Sequence, residues 1–105
     1  MDLTIKNSRY FHLILPRENH ETGEITAITL DVEPCKSGTL GEISSINEKS
    51  TFDEIVEVAL KIVNKNKTKY KVNKSIILDL DIDQLIQLIT EYLEWVMAEK
   101  KANPN

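Results

Sequence analysis

The stretch from Asp79 to Glu99, DLDIDQLIQLITEYLEWVMAE, constrains this chain more than any other. Wound as a helix, it places Leu85, Ile86, Ile89, Leu93 and Val96 on one face, with Tyr92 beside them. Leu88 and Trp95 widen the apolar side further. The arc spans roughly 200°, where one core-facing stripe needs only about 100°. A helix like this must be covered on two sides, by its own chain or by another molecule. Asp81 is placed to cap it, because Gln84 follows three residues on and completes a capping box. Asp79 and Asp83 add negative charge at the positive end of the helix dipole, and Lys100 and Lys101 add positive charge at the other. The pattern predicts a helix over 81–99, stopped by Asn103 and Pro104, with 102–105 as a frayed tail.

The remaining elements are shorter. Leu3–Lys6 and Tyr10–Leu15 read as strands joined around Asn7 and Ser8, and Pro16 is expected to end the second. Arg17–Glu24 is a polar loop. Ile25–Val32 alternates, with Ile28, Leu30 and Val32 on one face and Ile25, Ala27, Thr29 and Asp31 on the other. Residues 1–33 are thus β-rich, a small antiparallel sheet of two or three strands that needs helices to cover its apolar face. Between Cys35 and Lys49, Gly38 and Gly41 interrupt a helical spacing of Leu40, Ile43 and Ile46, which fits either a short helix or an ordered loop. A second main helix is expected over 50–66. Thr51 and Glu54 fit a capping box at its start, with Ser50 as an alternative cap one residue earlier, and Phe52, Ile55, Val56, Ala59, Ile62 and Val63 form its stripe, flanked by Val58 and Leu60. Lys67–Val72 is extended enough for a short edge strand, where lysines discourage pairing with other chains. Ile76–Leu78 is a brief apolar run. The expected architecture is one α+β domain over 105 residues, a small sheet packed by two main helices.

The sequence is poor in reactive constellations. Asp79, Asp81 and Asp83 alternate like the start of a calcium loop, but Gln84 and Thr90 stand where that loop needs its glycine and its bidentate glutamate. His12 and His20 lack a second ligand at metal spacing. Cys35 has no neighbour in sequence that would activate a thiolate, the serines have no nucleophile elbow, and the three glycines form no phosphate cradle. The reading is a non-catalytic chain without metal or cofactor. A lone cysteine, no leader-like start and no apolar run of membrane-spanning length lead us to expect a cytoplasmic protein with no membrane contact.

Two surfaces are candidates for function. Lys61 and the run to Lys74 concentrate positive charge in a chain of net charge −4. Lys65, Lys67, Lys69 and Lys71, with Tyr70 among them, are the residues that would touch a nucleic acid. The acidic remainder and the lack of arginine in the run favour a solvated edge instead. The second surface is the surplus apolar arc of the closing helix. Leu88, Tyr92 and Trp95 would contact a protein partner or a second copy if they stay exposed, and would be core if they do not.

The capped closing segment, ILDLDIDQLIQLITEYLEWV, resembles the end of tail assembly chaperones from long-tailed, siphovirus-type phages of Gram-positive bacteria. Those proteins often finish with an Asp-rich cap followed by a Leu/Ile helix. The resemblance covers about residues 50–99, and it implies a non-catalytic protein of the host cytoplasm. Such a protein would bind the tape measure protein or the tail tube protein through hydrophobic surface. The expectation is therefore a phage-encoded protein-binding adaptor or assembly chaperone, with oligomerisation as an accompanying property. The alternatives are a small nucleic-acid-associated regulator using the lysine run, and an acidic inhibitor of a host nucleic-acid enzyme.

Overall fold

The structure, a computed structural model, describes residues 9–102. The expected strand at Leu3–Lys6 and the tail beyond Ala102 lie outside the described residues. The elements in chain order are β1 (Phe11–Glu18), β2 (Ile25–Val32), α1 (Ser37–Ser44), α2 (Phe52–Val63), α3 (Lys74–Leu78) and α4 (Ile82–Ala102). The fold is α+β, with a two-stranded antiparallel sheet packed by helices.

The hairpin pairs from Phe11 opposite Val32 to Glu18 opposite Ile25. Alternation puts Phe11, Leu13 and Leu15 with Ile28, Leu30 and Val32 on the core face. Leu15, Leu30 and Val32 are fully buried there. The turn is built on Asn19, whose N–H donates to the Glu24 carbonyl at 2.8 Å and whose side-chain oxygen accepts from the Glu21 N–H at 2.9 Å. Gly23 takes the left-handed conformation that closes it, at φ 75°.

Pro16 does not end β1, which continues to Glu18. Counting back from the bonded pair Asn19 and Glu24, the odd-numbered residues of β1 face β2 with their backbone groups. Pro16 falls between them, opposite Ala27, where its missing N–H removes no bond of the ladder.

Both main helices begin as their sequences predict. The Thr51 hydroxyl accepts from the Glu54 N–H, and the Glu54 carboxylate accepts from the Thr51 N–H, each at 3.2 Å. At α4, Asp81 accepts from the Gln84 N–H at 2.7 Å and Gln84 accepts from the Asp81 N–H at 3.0 Å. The segment left open between loop and helix contains α1, which buries Ile43 and half-buries Leu40. The run Ile76–Leu78 belongs to the short helix α3, which buries Ile76 and Ile77.

α2 contacts α1, α3, α4 and β2, and this two-sided packing accounts for its wide apolar arc. Val56, Val58, Ala59, Ile62 and Val63 are buried, whereas Phe52 at its start is exposed.

Lys67–Val72 is not a strand; its pairing with β2 ends at the Asn66–Val32 bridge, where the Lys67 N–H donates to the Asp31 carbonyl at 2.8 Å. Lys69 sits at φ 60°, which breaks the extended path. Two asparagine side chains then satisfy the backbone that a neighbouring strand would otherwise pair. The Asn64 amide accepts from the Val72 N–H at 2.7 Å and donates to the Val72 carbonyl at 3.3 Å. The buried Asn66 amide treats Tyr70 the same way, at 2.8 and 2.7 Å, and also donates to the Val63 carbonyl at 2.8 Å.

Candidate functional site

α4 is turned so that Leu85, Leu88, Ile89, Tyr92 and Val96 enter the core. Leu88 is 5% exposed and Tyr92 1%, so neither stands as an exposed patch on this chain. Of the two readings open for Leu88, Tyr92 and Trp95, core or partner surface, Leu88 and Tyr92 fall in the core, while Trp95 is half-buried at its edge. Tyr92 packs edge-on against Phe11 with ring centres 5.5 Å apart, and Trp95, half-buried, packs against both rings at 5.6 and 5.8 Å. The Arg9 guanidinium lies 4.3 Å over the Trp95 ring. The Tyr92 hydroxyl donates to the Glu33 carbonyl at 2.9 Å. Burial, reinforced by the neighbouring Cys35 thiol, pushes the Tyr92 phenol well above its ordinary range. These groups form a structural cluster that joins the start of β1, the end of β2 and α4.

The surplus apolar surface lies on the other flank of the same helix. Ile82 is 48% exposed and Ile86 49%. They form one wall of a groove of about 630 Å³ between α4 and the segment from Ile43 to Ser50. Buried Ile43 and Ile89 and half-buried Ile46, Ile55 and Leu93 supply further apolar lining. Glu48 and Glu94 are the charged residues that line it among the described residues. Such a surface can bury apolar side chains of a partner and orient them through its polar rim. Ile86 and Leu93 were visible on the helical stripe, but Ile82 was hidden among the capping aspartates. The signal that marks all three is spacing, since Ile82, Ile86, Ile89, Leu93 and Val96 recur every four, three, four and three residues.

The lysine run is brought together in part. Lys65, Lys69, Tyr70 and Lys71 line a cleft of about 540 Å³, but Asn64, Asn66 and Glu33 line it too. The asparagine amides there are already engaged by backbone, and the Glu33 carboxylate opposes a phosphate at the same place. Lys67 is directed elsewhere, with its ammonium 5.3 Å from the centre of the Tyr10 ring. Lys61 pairs with Glu42 across to α1.

Neither histidine joins a ligand cluster. His12 pairs with its cross-strand neighbour Asp31 on the outer face of the hairpin. His20, at the hairpin turn, reaches Asp79 at 2.9 Å. That hydrogen bond, with the carboxylate charge behind it, raises the His20 pKa. No group of three or more His, Cys, Asp or Glu side chains suited to a metal ion occurs among the described residues. No described helix is long and apolar enough to cross a membrane.

Neither a family model, nor a curated protein, nor a solved structure matches this chain.

Proposed function

We propose that this chain is a non-catalytic protein-binding module whose partner docks in the groove between α1 and α4. The observation that carries the reading is the half-exposure of Ile82 and Ile86 above an apolar floor. Isoleucines on a capped, otherwise well-packed helix cost solubility unless something covers them, and contiguous apolar surface of this kind marks interaction sites. A more particular reading, an assembly chaperone holding a phage tape measure or tail tube protein, is supported by the resemblance of the capped closing helix to those chaperones. In that role the groove would shield an apolar segment of the client until assembly.

A photo-crosslinking amino acid placed at Ile86, in cells that carry the gene, tests the docking. Crosslinks from Ile86 to one dominant protein, absent from a control position at Glu21 on the hairpin turn, are expected. Equal labelling from both positions, or none from Ile86, would remove the reading. A tail structural protein as the crosslinked species would support the chaperone role, and an unrelated species would exclude it.

A further inference from the structure

We infer that the α1–α4 groove takes an amphipathic α-helix of another protein, laid along α4, whose apolar seam is flanked by lysines or arginines. This rests on the protein-docking reading above and adds the shape and charge of the occupant.

The shape follows from the seam. Ile82, Ile86, Ile89, Leu93 and Val96 repeat at a mean of 3.5 residues, the period at which one helix faces another along its length. The chain covers this seam unevenly. Ile89 and Val96 are buried and Leu93 half-buried, while Ile82 and Ile86 stand about half in solvent. A helix lying against the first turns of α4 completes the seam, and its far side meets Ile46 across the groove.

The charge follows from the rim. Among the described residues no lysine or arginine lines the groove, and the charged residues that do, Glu48 and Glu94, are exposed acids. The row on α4 beside the seam runs Asp83, Gln87, Thr90 and Glu94, all exposed and acidic at both ends. Asp83 and Thr90 hold the position beside the seam that selects partners by charge in paired helices, and Glu94, one step further round, lines the groove itself. Lys49 neighbours Glu48 in sequence but does not line the groove. A second copy of this chain is the wrong occupant, because its own α4 would bring Asp83 and Glu94 against the same acidic rim.

The test titrates the full chain with two labelled helical peptides, each about three heptads long, followed by fluorescence anisotropy. Both carry Leu and Ile at the seam; one has lysine at the flanking positions and the other glutamate. The lysine peptide should bind roughly ten-fold or more tightly than the glutamate peptide, since two or three rim pairs turn from attraction to repulsion. The double variant E48K/E94K should reverse that preference, and I82S/I86S should weaken binding of the lysine peptide. Circular dichroism establishes that each variant is folded. Equal binding of both peptides overturns the charge assignment, and binding that I82S/I86S leaves unchanged overturns the groove as its location. Binding of neither overturns the helical occupant, while crosslinking at Ile86 still decides whether a protein docks there at all. A dimer in solution that I82S/I86S dissociates would assign the groove to a second copy and overturn the inference.

Discussion

The Tyr92 hydroxyl donates a 2.9 Å hydrogen bond to the carbonyl of Glu33, joining α4 to the residue just past β2. The Phe11 and Trp95 rings pack against the phenol, the Cys35 thiol lies beside its hydroxyl, and the Glu33 carbonyl accepts its hydrogen bond. Tyr92→Phe should therefore cost about 1–2 kcal/mol, through a carbonyl deprived of its donor. Tyr92→Ala should cost about 3–5 kcal/mol, because it also opens a cavity between hairpin and helix. Urea unfolding of the two variants checks both values. A Tyr92→Ala protein as stable as the parent would mean that the ring is not core.

The paired asparagines make a similar argument for the lysine loop. Asn66→Ala frees the buried Val63 carbonyl and the part-buried N–H and carbonyl of Tyr70, and should cost about 2–3 kcal/mol. Asn64 is exposed to solvent beside its bonds to Val72, so Asn64→Ala should cost less, about 0.5–1 kcal/mol. Lys69→Gly should have the opposite sign. Its φ of 60° strains any residue with a Cβ, and relief of that strain is worth about 1 kcal/mol. Thermal melts order the three variants: Asn66→Ala lowest, Asn64→Ala intermediate, Lys69→Gly at or above the parent.

The contact between His20 in the hairpin turn and Asp79 at the α3–α4 junction links stability to pH near neutrality. Hydrogen bonding to Asp79 raises the folded-state pKa of His20 above its ordinary value of 6.5. The protonated form is the one the fold favours. Its contribution is therefore complete below about pH 6.5 and fades as the pH rises through the raised folded value. The sign is opposite to that of a salt-bridged carboxylate. NMR titration should show the His20 ring titrating above 6.5 in the parent and returning toward it in D79N. Stability measured across the same range should fall slightly with pH in the parent and stay flatter in H20Q. A His20 ring that titrates identically in parent and D79N would show that the contact does not form in solution.

Features encoded within a few residues were legible in the sequence. The boxes at Thr51/Glu54 and Asp81/Gln84 need only residues three apart, and the alternation of Ile25–Val32 needs only its own side chains. What failed depended on distant partners. The apolar arc of α4 allowed either flank to face inward, and the choice was made by Phe11 and Glu33, far away in sequence. Pro16 stayed in β1 because of a register set at Asn19 and Glu24. The Lys67–Val72 run had the composition of an edge strand, but Asn64 and Asn66 offered its backbone side-chain partners instead. The groove itself is a juxtaposition of α4 with residues 43–50, which no local pattern records.

The two flanks of α4 give the sharpest contrast between core and candidate interface. Leu85 is 1% exposed, and Leu85→Asp would bury an unpaired carboxylate among apolar side chains. It should unfold the chain or cost at least about 4 kcal/mol. Ile86, the next residue, is 49% exposed. Ile86→Asp keeps its charge in water, loses only part of one side chain's burial, and should cost about 1 kcal/mol or less. The same neighbours should separate in function as well. Ile86→Asp places a third acid beside Glu48 and Glu94, so partner capture should fall steeply while the urea midpoint barely moves. Leu88→Ala should behave the other way, losing about 2–4 kcal/mol of stability, with binding lost only as far as the chain unfolds. Comparing crosslinking yield at a fixed folded fraction distinguishes the two cases. Should Leu88→Ala abolish capture without loss of stability, the docking surface would lie on the Leu88 flank of α4 and not on the Ile86 flank.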